Sequence, residues 1–236
     1  MFTALTVLLL IHLVLLSPLL GRRTYRRLLR TRDGDPRAYA RTSAGWIAEL
    51  WAIAAVAVLI FALSPVLDLA DVGFGVSPDD LSTLAGAAVG LTVVVLGLGL
   101  LMRRLPAPPT QDAFQGLLPR TTAERGFALL LAVSAGVCEE IVYRGLLIAL
   151  GVHVLGLSTE IAAALALAVF VLGHLYQGWK GMIMVTLAGF GLTVLYLRTG
   201  NLVLPIVVHI LIDIRSLLLA PASRRSGVGS IATVKR

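Results

Sequence analysis

The chain is broken into apolar stretches that approach the roughly 20 residues a helix needs to cross a bilayer. They run at about 2–20, 46–67, 81–102, 126–150, 159–177, 181–197 and 202–220. Clusters of Arg, Asp, Pro or Gly bound each one, as expected where helices stop or meet water. Seven spans follow. The fourth stretch continues to His153, long enough to tilt, project into water, or break near Gly145 or Gly151 into an eighth element. The expected fold is an all-α polytopic membrane bundle of seven to eight transmembrane helices. Composition agrees, since 58% of the 236 residues are hydrophobic and only 14% charged, which sets an ordinary soluble domain aside.

Arginine placement gives an orientation, because short cytoplasmic loops carry Lys and Arg in excess. The segment 21–41 holds Arg22, Arg23, Arg26, Arg27, Arg30, Arg32, Arg37 and Arg41, whereas 64–80 holds Asp68, Asp71, Asp79 and Asp80 and no base. Bases return at Arg103, Arg104, Arg120 and Arg125, and again in the tail at Arg224, Arg225, Lys235 and Arg236. With seven spans the N-terminus lies outside and the C-terminus in the cytoplasm, and the cell membrane is the expected location. Arg198 is the exception to this scheme. The net charge of +7 is juxtamembrane, so anionic lipids are the expected partners and nucleic acid is not. Residues 1–20 lack a basic n-region and an A-x-A-like cleavage site, which favours a retained first span. A single cysteine, Cys138, excludes an intrachain disulfide framework. The spacings Gly86 with Gly90 and Gly178 with Gly181 read as close helix packing.

Ionisable groups in hydrocarbon cost about 2.5–3.5 kcal/mol each on insertion scales, so those present tend to face the bundle interior and mark a site. They concentrate late in the chain: Glu139, Glu140 and Arg144 in the fourth stretch, His174 in the fifth, and His209, Asp213 and Arg215 in the seventh. Early stretches offer only His12 and the near-interface Glu49. Residues four apart share a helix face, and neighbours diverge. Glu140 therefore faces Arg144, and Glu139 faces Tyr143. One carboxylate has a built-in cation while the other is free for proton transfer as a general base or acid. His209 and Asp213 share a face, as do Phe170 and His174.

Each motif has a plainer reading. A Glu and Arg four apart stabilise a helix without catalysis, and a lone membrane His commonly ties one helix to another. His12 and His153, with no carboxylate at helical spacing, are assigned that plain role, and Cys138 has no His beside it to make it a nucleophile. What the plainer readings leave unexplained is joint occurrence on three late spans.

The order Glu139-Glu140-Ile141-Val142-Tyr143-Arg144, then Phe170-Val171-Leu172-Gly173-His174, then His209-Ile210-Leu211-Ile212-Asp213 resembles the CPBP family of intramembrane proteases, the group of CAAX prenyl endopeptidases and bacteriocin-processing or immunity proteins. The similarity extends to the flanks, Arg144-Gly145-Leu146-Leu147 and Asn201-Leu202 through Pro205-Ile206, and covers roughly 126–218. It implies an endopeptidase acting on a membrane-associated peptide or protein. Residues 1–120 would be N-terminal helices and basic loops, 121–220 the catalytic membrane core, and 221–236 a polar basic tail. Glu139 would activate a water with help from His174, Glu140 and Arg144 would orient Glu139, and His209 with Asp213 would stabilise the oxyanion. In a metalloprotease description a metal such as zinc would be held by Glu139, His174, His209 and Asp213, although no H-E-x-x-H is present.

One departure matters: Asp213 stands where Asn often closes the third motif, and an ionised Asp cannot donate to an oxyanion. Asp213 would then be protonated, orient His209, or bind metal, and the shared face favours the second. On straight spans Glu139 and His209 reach one depth, while His174 falls about 10 Å deeper. Two rival classes stand beside the protease, a catalytically silent scaffold or immunity-type protein and a proton-coupled transporter. The lack of a repeat across the two halves argues against the last.

Overall fold

The computed structural model describes residues 1–74 and 115–219, together with Ser82, Gly86, Val89 and Val93. The rest of the stretch 81–102, the bases Arg103 and Arg104, and the tail 221–236 lie outside the described residues. Among the described residues there is no strand. The helices treated below are α1 (Phe2–Thr31), α2 (Ala38–Ala62), α3 (Thr122–Val154), α4 (Thr159–Gly173), α5 (Gly178–Thr199) and α6 (Val203–Leu218).

Four helical segments are long and apolar enough to cross a membrane: α1, α2, α3, and α5 with the preceding turn from Leu175. The expectation of seven to eight crossings is met only to that extent among the described residues. The fifth and seventh stretches form helices of 15 and 16 residues, short of a full crossing. The reasons are local. At the end of α4, His174 leaves helical geometry, a 3-10 turn follows at Leu175–Gln177, and Gly178 takes φ 69°, so the chain reverses there. At the start of α6, Leu202 is fully buried and its N–H donates to Gly73 O at 3.0 Å, so this helix begins beneath the segment 67–74.

Sequence signals fix the other ends. Thr121 caps α3 by accepting from Glu124 N at 3.2 Å, and Glu124 Oε2 reaches back to Arg120 N at 2.5 Å, a variant of the capping box. Ser158 accepts from Ile161 N at the start of α4. Gly200, at φ 61°, closes α5 with its N–H on Tyr196 O. The fourth stretch does not break at Gly145 or Gly151. It runs as one helix to Val154, with wider i→i+5 turns at Glu140–Leu147 and Leu150–Val154. Such turns often accompany functional sites.

Small residues set the crossings, though not at the expected spacings. A Cβ on Gly136 of α3 would stand 2.9 Å from the backbone N of Ile210 on α6, and one on Gly151 would meet Ala162 Cβ of α4 at 2.6 Å. Gly189 of α5 lies similarly against Leu167 and Phe170. Gly86 and Gly178 have open space instead, and Gly178 serves the chain reversal. Glycine lets two backbones approach within the radius of a missing side chain, which is how helices gain contact where no hydrophobic effect drives them together.

The outer surface is apolar, with Leu8, Val58, Leu130, Leu187 and Phe190 exposed, as suits a lipid-facing bundle. The arginine-rich end is built around Arg32, whose side chain is buried rather than solvated. Arg32 Nη2 donates to Leu118 O at 2.6 Å and Glu124 Oε2 at 2.8 Å, and its guanidinium lies 4.5 Å over the Tyr39 ring. At the opposite, acidic end, the segment 67–74 buries Leu67 and Val72, and Tyr196 OH donates to Asp71 O at 3.3 Å.

Candidate active site

The crossing of α3 and α6 at Gly136 and Ile210 brings the glutamate pair next to the last histidine. Glu140 is fully buried and accepts twice on one oxygen: from Arg144 Nη1 at 2.7 Å and from His209 Nδ1 at 2.6 Å. Arg144, 2% exposed, also donates from Nη2 to Gly189 O at 3.0 Å and lies 4.5 Å over the Phe170 ring. This guanidinium therefore joins α3, α4 and α5 at one point. A buried charge needs such complete partnering, since an unpaired one would be strongly destabilising.

Glu139 points the other way, into a cavity of about 640 Å³ that Glu139, His174, His209 and Asp213 all line. Glu140 and Arg144 do not line it. Glu139 Oε2 is buried without a hydrogen-bond partner, and His209 Nε2 lies 3.7 Å from it. Asp213 Oδ2 stands 3.9 Å from the same Nε2, beyond hydrogen-bond reach. Of the three roles open to Asp213, protonated donor, partner of His209 or metal ligand, the shared face favours the second; the hydrogen bond that His209 makes here is to Glu140. The reason is tertiary: the α3–α6 crossing offers His209 a carboxylate closer than its own helix does. Glu140 likewise orients the imidazole, where the resemblance had it orienting Glu139.

His174 sits where α4 ends. Its Nδ1 donates to Phe170 O at 2.9 Å, and since a carbonyl only accepts, Nδ1 carries the hydrogen. The Nε2 lone pair of the neutral ring is then available for a proton. Phe170 joins the two imidazoles, with its ring centroid 4.7 Å from His174 and 6.1 Å from His209. The expected 10 Å depth mismatch is absent from the cavity. The sunken start of α6 puts His209, six residues in, about 10 Å below Leu202, and α4 is short enough that its end reaches the same level.

Among the described residues no three of His, Cys, Asp and Glu come together as a ligand set for a metal ion. His209 has Nδ1 committed to Glu140 and His174 has Nδ1 committed to a carbonyl, which leaves Nε2 of each ring uncommitted, with Glu139 Oε2 and Asp213 Oδ2 3.7 and 3.9 Å from that of His209. Imidazole nitrogens held in this way by a second partner, with carboxylates beside them, are donor types that a zinc ion takes.

Two contacts could not be read from spacing. His12 Nε2 lies 3.2 Å from Glu49 Oε1 across 37 residues, and His153 Nε2 lies 3.4 Å from Asp71 Oδ1. In both pairs the carboxylate lies outside the histidine's own helix, where helical spacing cannot reveal it. Glu49 lines the same cavity as Glu139.

Residues 122–215 match the family model described as Rce1-like: Type II CAAX prenyl endopeptidase Rce1-like. No curated protein and no solved structure matches the chain significantly. The matched range spans α3 to α6 and contains all three motifs. The chain is thus an integral membrane protein whose residues 122–215 are similar to the Rce1-like type II CAAX prenyl endopeptidases.

Proposed function

We propose that the protein is an intramembrane endopeptidase that hydrolyses a peptide bond of a membrane-associated protein or peptide, with Glu139 as the general base. The observation that carries this reading is Glu139 Oε2: Glu139 and Glu140 each have a buried oxygen without a partner, and of the two residues Glu139 lines the cavity that two imidazoles share. A carboxylate left so is positioned to take a proton from a water molecule.

In this reading a water in the cavity gives its proton to Glu139 while its oxygen attacks the substrate carbonyl carbon. The Nε2 lone pair of His174 accepts the water's other hydrogen in a hydrogen bond and steers the attack. His209, as the imidazolium with Nδ1–H held by Glu140, presents Nε2–H to the developing oxyanion, and Asp213, protonated, is the second donor. When the C–N bond breaks, Glu139 passes its proton to the leaving amine, which restores the carboxylate. Glu140 and Arg144 touch no reacting atom and act by positioning His209. The steps as written use no metal. The basic end of the bundle faces the cytoplasm and anionic headgroups.

The test is cleavage of a membrane-anchored peptide library by protein reconstituted in vesicles. Wild type should cleave, with activity surviving treatment with a metal chelator, and Glu139→Gln and His174→Ala should each lose at least about 100-fold, in line with general acid–base catalysis, while remaining folded. Full biological activity of both variants would favour the scaffold or immunity-type reading.

A further inference from the structure

The cavity has a second wall that the hydrolytic mechanism does not use. Trp46, Glu49, Leu50 and Ile53 of α2 line it, and their spacing of three, four and seven residues makes them one helix face. Three of the four suit a membrane interior. Glu49 does not, being a carboxylate on an otherwise apolar helix face, where it is costly beside hydrocarbon.

A tie between helices explains only half of this residue. His12 of α1 holds Glu49 Oε1 at 3.2 Å, which fixes the side chain on the wall. A pair serving packing alone would be buried between α1 and α2, as Glu140 and Arg144 are between their helices. Yet the side chains of His12 and Glu49 remain 28% and 30% exposed, and Glu49 borders the cavity. The chemistry around it narrows the occupant. The same cavity is lined by carboxylates at Glu49 and Glu139, by the base Arg215, which lies on α6 away from the α2 wall in sequence, and by the aromatic rings of Trp46, Tyr143 and Tyr176. Carboxylates and ring faces both attract a cation, the former by charge and hydrogen bonding and the latter through their quadrupole.

We propose that Glu49 is a specificity-determining residue that accepts a Lys or Arg side chain of the substrate, carried near the bond that Glu139 attacks. The inference rests on the hydrolytic reading for its substrate but not for its measurement. His12 orients Glu49 Oε1, and the remaining oxygen receives the substrate's cation. The ammonium or guanidinium enters as the bound peptide displaces cavity water, so the charge of Glu49 is neutralised only in the complex.

Binding can be followed without turnover in the Glu139→Gln protein, in micelles, with labelled apolar peptides that differ only in carrying Lys or norleucine at one scanned position. At one position Lys should bind at least about tenfold tighter than norleucine, as a charge-assisted hydrogen bond gives. Adding Glu49→Gln, which retains an oxygen to accept from His12, should remove that preference. Adding Glu49→Lys should make Glu the favoured residue at the same position. The inference is overturned if no position prefers Lys, or if the preference survives both changes, since Glu49 would then be a tie between α1 and α2 only. A Glu49-dependent preference in a protein whose wild type cleaves none of these peptides would uphold the binding assignment and sink the hydrolytic one.

Discussion

His209 Nδ1 and Glu140 Oε1 stand 2.6 Å apart across 69 residues of chain, and the same oxygen accepts from Arg144. One buried carboxylate thereby fixes which nitrogen of His209 faces the cavity, while its neighbour Glu139 keeps an oxygen unpartnered there. Two adjacent glutamates thus have separate tasks because consecutive residues of a helix point in different directions.

Removing Arg144 should cost more than one hydrogen bond. Arg144→Leu leaves Glu140 buried with His209 as its sole partner and frees Gly189 O of one donor, so unfolding in mild detergent should show a loss of about 3 kcal/mol or more. Arg144→Lys should recover only part of this, because a point charge cannot reach both Glu140 and Gly189 O as a fork does. Equal stability of wild type and the Leu variant would contradict the partnering described here.

The α3–α6 crossing should be sensitive to a single methyl group. In Gly136→Ala the new Cβ would stand 2.9 Å from the backbone N of Ile210, next to His209. Backbone cannot give way as a side-chain tip can, so a loss of about 1–3 kcal/mol is expected, with peptide cleavage falling at least tenfold as His209 shifts from Glu139. Gly126→Ala, whose Cβ meets nothing within 4 Å, should be neutral or slightly stabilising. Similar thermal shifts for the two variants would argue against the close crossing.

Asp213 separates two roles. Since Glu140 already holds His209 Nδ1 and Asp213 is 3.9 Å from Nε2, Asp213 is free to act as a donor towards the substrate. Asp213→Asn, an amide that donates at any pH, should keep activity within about threefold, whereas Asp213→Ala should lose about 100-fold, the cost of an absent oxyanion donor. A steady-state pH profile of the three proteins decides it. An inactive Asn variant would show that the carboxylate itself is needed, as base, ion or ligand.

Sidedness follows from the two charged ends. Reporter fusions at Asp35, among the arginines, and at Asp71, among the aspartates, should report opposite compartments, with Asp35 cytoplasmic. Both on one side would leave α2 unable to cross.

The membrane character of this chain was determined by its sequence, because apolar stretches of crossing length can be buried only in lipid or in one another. Spacing also determined that Glu140 meets Arg144 and that Phe170 meets His174, since an α-helix sets both pairs locally. Nothing in spacing could show that Glu140 belongs to His209 or that Glu49 belongs to His12. Those partners lie 69 and 37 residues apart and meet only where glycine, as at Gly136, or a sunken helix start, as at Leu202, lets separate helices approach. Helix length was decided there too. Hydropathy continues through His174, but the helix ends there and the backbone turns at Gly178, where glycine accepts a φ of 69° and the His174 ring takes up Phe170 O of the last helical turn.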